Sequence, residues 1–503
     1  MDTPILDFLR QYSEHDWVRF HMPGHKGKGM LGCEKWDITE VYGADALYEA
    51  DGIIAKSERN AAELFGTQRT CYSTEGSSQC IRAMLYLALN NRPKGNSNVI
   101  VAARNVHKTF VYAAALLDIE PVWLWPESSS SLCGCPVTPA ILKETLNKLD
   151  APPAAVYVTS PDYLGEMADM GNLAKVCHDS GTILLVDNAH GAYLKFLPKS
   201  LDPLDLGADM CCASAHKTLP VLTGGAYLHI SRRLPARYAD QAKSALALFG
   251  STSPSYLIMA SLDACNRLLA GDYPKRIAEW AGNMDCLKRR LGSRGWKVPQ
   301  SDPLRLTVRA TESMRGTDIA KLLRGGDIEC EHADAGYAVL MTTPNNTLEE
   351  LYRLEKVLGE CRSRPAEQEL LPIAKAERAM SVREAFFRLH EVIPVSEALG
   401  RICGAPAVSC PPAIPIAVSG ERIGREAIEL FEYYGINEVD VVKSAAQFEM
   451  CRTFAISCQI KNFRFTLSLR GGQQAMMMRV SPRIRQHARG YMDHIRLSWR
   501  PKV

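Results

Sequence analysis

From about residue 56 to residue 300 the chain sets short apolar runs between longer amphipathic stretches. The runs are Asn98–Ala102, Pro121–Trp125, Ala155–Val158, Thr182–Val186 and Gly225–Ile230. Each has the length of a strand, and the intervening text has the length and period of helices. Strands alternating with helices predict parallel strands joined by crossover helices, an α/β architecture. A second pattern begins near Pro299, with strand-like Leu304–Val308 and Tyr337–Met341 between helical segments, and predicts a smaller α+β unit over 301–446. The Pro-rich segment Cys410–Pro415 reads as a loop or extended stretch. Residues 1–55 show no sustained period and read as an arm draped over another part of the protein, ahead of a large domain over 56–300.

The last stretch, 447–503, differs in kind. From Cys451 onward it holds eleven Lys/Arg against one acid, Asp493, whereas the whole chain carries only +3. No basic surface is implied for the body of the protein, and no nucleic-acid partner is expected. At 503 residues and 46% apolar composition a large core is available. No apolar run is long enough to cross a membrane, and Met1–Pro4 does not open a signal peptide, so a cytoplasmic location is expected. The sixteen cysteines are scattered through apolar segments, as buried thiols are in a reducing compartment. Cys133-Gly134-Cys135 has neither a second pair at ligand spacing nor a histidine near it in the chain, and no metal site is expected there.

Chemistry enters at the ends of the runs. The run Thr182–Val186 delivers Asp187 at its carboxyl end, followed by Asn188-Ala189-His190-Gly191, and ligands of open α/β sheets sit at that edge. Ser214-Ala215-His216-Lys217, with Thr218-Leu219 after it, follows another apolar strand. An aspartate that can keep a pyridine nitrogen protonated and a lysine that can bond an aldehyde together suit pyridoxal 5′-phosphate, PLP. Ser73-Thr74-Glu75-Gly76-Ser77-Ser78 stands before an apolar helix, Gln79–Leu89, where free N–H groups and hydroxyls converge on an anion such as a phosphate. Arg104-Asn105-Val106-His107-Lys108 follows the run Asn98–Ala102 and puts an imidazole, which can stack on a pyridine ring, at the same edge.

Seven ordered motifs extend this pattern: Phe20–Gly27 (FHMPGHKG), Asp37–Glu40 with Gly43–Leu47, Arg104–Lys108, Ser160–Gly165, Asp187–Gly191, Ser214–Leu219 and Ser251–Tyr256. With them the chain resembles the major-domain Orn/Lys/Arg decarboxylases from about Phe20 to about Val442. The resemblance implies an aspartate-aminotransferase-like, fold-type I PLP large domain with a mixed, mostly parallel sheet, plus a smaller α+β C-terminal domain. It implies Lys217 as the Schiff-base lysine, Asp187 as partner of the pyridine nitrogen and His107 as the stacking ring. Gly76, Ser77, Ser78, Ser214 and His216 would hold the phosphate, with Ala189 and His190 also at the cofactor. The implied reaction is decarboxylation of arginine, lysine or ornithine to agmatine, cadaverine or putrescine, a step of polyamine biosynthesis. The implied assembly is a homodimer or higher homo-oligomer with shared sites, into which Ser251–Tyr256 reaches from the neighbouring subunit. Because the His-Pro-Gly motif begins near residue 21, the chain is expected to be the short bacterial form without an N-terminal wing domain.

Three departures from the family's pattern bear on substrate identity: Asn188 where relatives usually carry glutamate, Asp162 where threonine is common, and Cys410-Pro411-Pro412-Ala413-Ile414-Pro415 in place of a Tyr-Pro-Pro-Gly-Ile-Pro pattern. An aminotransferase or another lyase could use the same lysine, aspartate and phosphate cup, though transamination normally needs an arginine for the substrate carboxylate. A non-catalytic regulator is the remaining alternative. For the substrate's cationic side chain the candidates are Glu329, Glu331 and Glu421.

Overall fold

The computed structural model describes residues 1–126, 131–298, 301–359, 371, 375–408 and 413–443. The basic tail, the domain limit at 446 and Cys410–Pro412 fall outside the described residues. Met1–Arg388 and Val392–Val441 form one compact unit, which holds everything discussed below; Leu389–Glu391 and Val442–Val503 form another, described only at its first few residues.

Seven strands make the main sheet: β1 (Arg69–Ser73), β2 (Val99–Ala103), β3 (Glu120–Leu124), β4 (Ala155–Thr159), β5 (Ile183–Asp187), β6 (Met210–Ala213) and β7 (Ala226–Ile230). Their spatial order is β1-β7-β6-β5-β4-β2-β3. Only β7 runs against its neighbours, and the other pairings are parallel, so the sheet is mixed and mostly parallel. Successive strand residues point to opposite faces. Ile100, Ala102, Tyr157, Leu185 and Cys212 accordingly pack into one apolar layer. Val101, Ala103, Val156, Val158, Leu184, Val186 and Cys211 pack into the other. Both faces are dry, which is why these strands read as continuous apolar runs rather than as alternations.

The carboxyl ends of β1, β2, β4, β5 and β6 share one edge, and there the sequence turns polar: Gly76 after β1, His107 after β2, Thr159 and Asp187 closing β4 and β5, Lys217 after β6. Register sets Asp187 between Thr159 and Cys212, at the middle of that edge.

Four helices matter for the site: α1 (Pro4–Glu14), α2 (Ile53–Phe65), α3 (Gly76–Asn91) and α4 (Lys108–Leu117). The expectation of an aperiodic arm misses α1, which buries Ile5, Leu6 and Leu9. Its first turn is capped from far away, by Asp263 Oδ2 accepting from the N–H groups of Ile5 and Leu6 at 2.9 and 3.0 Å, a signal that no local window contains. The strand β1 also escapes the apolar pattern, since Arg69-Thr70-Cys71-Tyr72-Ser73 is half polar. Its polar groups are satisfied inside: Thr70 Oγ1 bonds His229 Nδ1 at 2.8 Å, and Tyr72 N–H donates to the Glu58 carboxylate on α2. Beyond the main sheet, β8 (Arg305–Arg309), β9 (His332–Ala333) and β10 (Tyr337–Met341) form a small antiparallel sheet of order β8-β10-β9.

Candidate active site

A cavity of about 280 Å³ opens at the carboxyl edge of the main sheet. All ten residues singled out from sequence line it: Gly76, Ser77, Ser78, His107, Asp187, Ala189, His190, Ser214, His216 and Lys217. Asn105, Thr159, Tyr163, Glu331, Ala413 and Ile414 complete the wall. Of these, Asn105, Tyr163, Ala413 and Ile414 lie within motifs already noted, and Glu331 among the candidate acids. Thr159 was missed, although its position at the end of a central strand was a usable signal.

Lys217 leaves the short helix Ala215–Thr218 and places Nζ 2.8 Å from His190 Nε2. Burial lowers the lysine's pKa below its ordinary value, against the opposing pull of Asp187 and Glu331. His190 is driven well below the usual imidazole range, mainly by burial and then by Lys217, so it faces the lysine as a neutral ring. Asp187 is 3% exposed. Its Oδ2 accepts from the Tyr157 hydroxyl at 3.1 Å and its Oδ1 from the Ala189 N–H at 3.2 Å.

His107 caps α4, its Nδ1 accepting from the Thr109 N–H at 3.2 Å, which leaves Nε2 as the ring's donor. Burial pushes its pKa down to about 4, so it too is neutral near pH 7. His216 is pinned through Nδ1 to the Gly225 carbonyl at 3.0 Å. At the start of α3 no side chain caps the first turn; the Gly76 N–H donates to the Gly224 carbonyl at 2.7 Å, and the N–H groups that follow it are left for another acceptor. Gly76 there has φ of +69° and open space where a Cβ would stand. The substrate-acid candidates separate cleanly. Glu329 pairs with Arg324 on the surface, and Glu421 is locked to buried Arg104 at 3.2 Å. Glu331 alone of the three lines the cavity, accepting from the Tyr163 hydroxyl at 3.2 Å. Among the described residues no arginine lines it. Arg305 in the small sheet donates through Nη1 to the carbonyls of Asp162 and Tyr163.

The sequence profile of the Orn/Lys/Arg decarboxylase major domain matches residues 3–298, and that of the same family's C-terminal domain matches 365–440. The chain belongs to the Orn/Lys/Arg decarboxylase family. An arginine decarboxylase of Bacillus subtilis is 31% identical over 465 residues, covering 85% of this chain and 92% of that protein. An arginine decarboxylase of Halalkalibacterium halodurans is 30% identical over 462 residues, with coverage of 84% and 91%. Among solved structures, the lysine decarboxylase of Francisella novicida superposes with a TM-score of 0.72 at 16% identity, over 88% of this chain and 81% of that one, a likeness of fold.

As a member of the Orn/Lys/Arg decarboxylases, the protein is a PLP-dependent enzyme that decarboxylates a basic amino acid to its amine. The cavity fits such a cofactor on its own terms. Buried Asn105 Oδ1 and Thr159 Oγ1, both in its wall, have no partner within the protein. Buried polar atoms are normally satisfied, so an orphaned pair facing one cavity marks a place for a polar ligand. The uncapped start of α3 suits its phosphate, and the Lys217 amine and Asp187 carboxylate meet its two demands for an amine and an anion. Among the described residues no helix is long and apolar enough to cross a membrane.

Proposed function

We propose that this decarboxylase acts on arginine, with Lys217 as the covalent anchor of PLP, Asp187 facing the pyridine nitrogen, His107 stacked on the ring, and Glu331 receiving the substrate's guanidinium. The observation that carries the reading is the placement of Glu331, an acid just before β9, in the same cavity wall as Lys217, Asp187 and His107. A carboxylate beside a tyrosine hydroxyl suits the planar fork of a guanidinium. Four relatives that cover 83–85% of this chain are named arginine decarboxylases.

Bound PLP supplies an electron sink for the bond to the departing carboxylate. The residues do the rest. Burial brings Lys217 closer to the neutral amine that a nucleophile must be, and neutral His190 at 2.8 Å orients it through a hydrogen bond. After CO₂ leaves, the same pair is placed to return a proton to the substrate's Cα. Asp187, held by Tyr157 and the Ala189 N–H, presents a fixed anion. Gly76, Ser77, Ser78, Ser214 and His216 orient the phosphate end, and Ala413 and Ile414, tied down by the Lys108 N–H donating to the Ala413 carbonyl at 2.9 Å, close the wall against water. The absence of a lining arginine speaks for decarboxylation over transamination, because a departing carboxylate is better left weakly held.

The reading includes a cytoplasmic homo-oligomer. Every described cysteine is a free thiol, as a reducing compartment allows. Phe20 and Tyr42 in the arm stand almost fully exposed, with Trp17 and Met22 more than half exposed, an apolar surface of the kind a second copy covers. The deciding experiment incubates the purified enzyme with PLP and arginine, lysine or ornithine in turn, and measures CO₂ and amine. Agmatine is expected as the main product; a higher kcat/KM for lysine or ornithine overturns the substrate assignment.

A further inference from the structure

Behind the cavity wall lies a second group of side chains that the decarboxylation does not use. Cys133 sits in the loop after β3, and His332 and Asp334 come from β9 and the turn that follows it. Their donor atoms, one from each residue, all lie within 4.8 Å of one another. Cys133 is fully buried and the other two are each 8% exposed.

Three features distinguish this group from a chance meeting of polar residues. His332 Nε2 is buried and has no hydrogen-bond partner in the protein. Its approach to Asp334 Oδ2, 3.6 Å, is too long for a hydrogen bond. It does match the separation of about 3.3 to 3.7 Å between two ligands of one tetrahedral zinc-like ion bonded at ~2.0–2.3 Å. Finally, Asp334 is already oriented: its Oδ1 accepts from the N–H groups of Gly336 and Tyr337 at 2.7 and 2.8 Å, leaving Oδ2 free to ligate. The turn that closes β9 on β10, with the Asp334 N–H donating to the Tyr337 carbonyl at 3.0 Å, holds Asp334 beside His332.

We infer that Cys133, His332 and Asp334 form a buried site for one divalent transition-metal ion of the zinc type, with a water molecule completing a tetrahedron. Binding converts the Cys133 thiol to a metal-bound thiolate and releases its proton to solvent. Thiolate, carboxylate and neutral imidazole then balance the ion's two positive charges, which a buried site requires. Spacing along the chain argues against a metal at Cys133 because the histidine and aspartate it needs are remote in sequence. The ion would clamp the 131–135 loop to the β9–β10 hairpin. Glu331 directly precedes His332, and the Tyr163 ring lies 5.4 Å from the rings of both His190 and His332, so the clamp backs the cavity wall.

The test uses the full-chain holoenzyme, stripped with a chelator and titrated with Co²⁺ against a competing chelator. One equivalent per chain is expected, with thiolate-to-cobalt charge-transfer absorption and the intense visible bands of tetrahedral cobalt. Cys133→Ser should abolish the charge-transfer absorption, and His332→Gln and Asp334→Asn should each weaken binding more than about tenfold. Unaltered PLP absorbance checks that each variant is folded. Where a variant does not load PLP, zinc-edge X-ray absorption on the wild-type protein decides instead: one sulfur and two or three nitrogen or oxygen neighbours are expected. Stoichiometry well below one, charge transfer that survives in Cys133→Ser, or a zinc shell of four sulfurs or none overturns the site.

Discussion

Arg104 and Lys217 both spring from the carboxyl edge of the main sheet, one directly after β2 and the other four residues after β6, yet they end in opposite states. Arg104 is completely buried and closed off: its guanidinium donates to the carbonyls of Pro415 and Ile416 at 2.8 and 3.0 Å and to Glu421 at 3.2 Å, and it lies over the rings of Trp123 and Trp125. Lys217 has a neutral imidazole and a cavity. A guanidinium enclosed by a carboxylate and carbonyls has most of its donors engaged and supports the fold. A cation deprived of solvent without such an enclosure is pushed toward its neutral form, which is the reactive one. Glu421 and Glu331 repeat the contrast on the acidic side, the first consumed by Arg104 and the second left in the cavity wall.

The sharpest way to break this comparison is Lys217→Ala. Removing the amine should lower kcat by about a thousandfold or more, and borohydride reduction of the wild type followed by peptide mapping should find the phosphopyridoxyl group on Lys217. Label on a different lysine would dissolve the contrast.

Arg104→Met should act on stability instead. Leaving Glu421 buried without its partner costs about 3–5 kcal/mol, and the double change Arg104→Met with Glu421→Leu should restore much of it, as read by urea unfolding of the three proteins. A single variant as stable as the wild type would show that the pair does not seal that side of the sheet.

For Glu331→Gln the expected effect is kinetic and selective: KM for the basic substrate rises about 10- to 100-fold with a smaller change in kcat, the cost of one charged hydrogen bond. An equal fall in kcat and kcat/KM would move Glu331 from substrate binding to the chemical step.

A pH series tests the sealed interior. His229, buried under Thr70, is pushed down to about 3. The unfolded chain takes up a proton as pH falls below about 6.5 while the native ring stays neutral, so native stability must fade with falling pH. Between pH 7 and pH 4.5 the wild type should lose about 2 kcal/mol relative to His229→Gln; no change in the difference would mean that the native ring can take up a proton as readily as the unfolded one.

The smallest effect is expected at Ala413, which holds φ of +61°, a conformation that favours glycine. Left-handed backbone costs an alanine about 1–2 kcal/mol, partly offset by the greater freedom of glycine in the unfolded chain, so Ala413→Gly should stabilise the protein by up to about 1 kcal/mol in thermal unfolding. A loss of stability would place the constraint on the side chain rather than the backbone.

Much of this protein was legible in one dimension because its chemistry is clustered in one dimension. The strands β2 to β5 and β7 announce themselves as apolar runs, since both faces of the sheet are dry. The residues proposed for the cofactor follow strand ends, so Asp187, His107 and the Ser214–Lys217 turn could be located by position alone, and all fall on one cavity. Local sequence could not assign partners. The half-polar β1 is a strand only because Glu58 and His229 receive its polar groups, and α1 starts where it does because Asp263 caps it from across the chain. Which acid lines the cavity was undecidable among Glu329, Glu331 and Glu421 until distance was known, for the three differ in neighbours and not in chemistry. The meeting of Cys133 with His332 and Asp334 is of the same kind. Side-chain type and local period are properties of the chain itself, whereas the pairing of a charge depends on through-space distances of a few ångströms, and only the packed sheet and its covering hairpin set those.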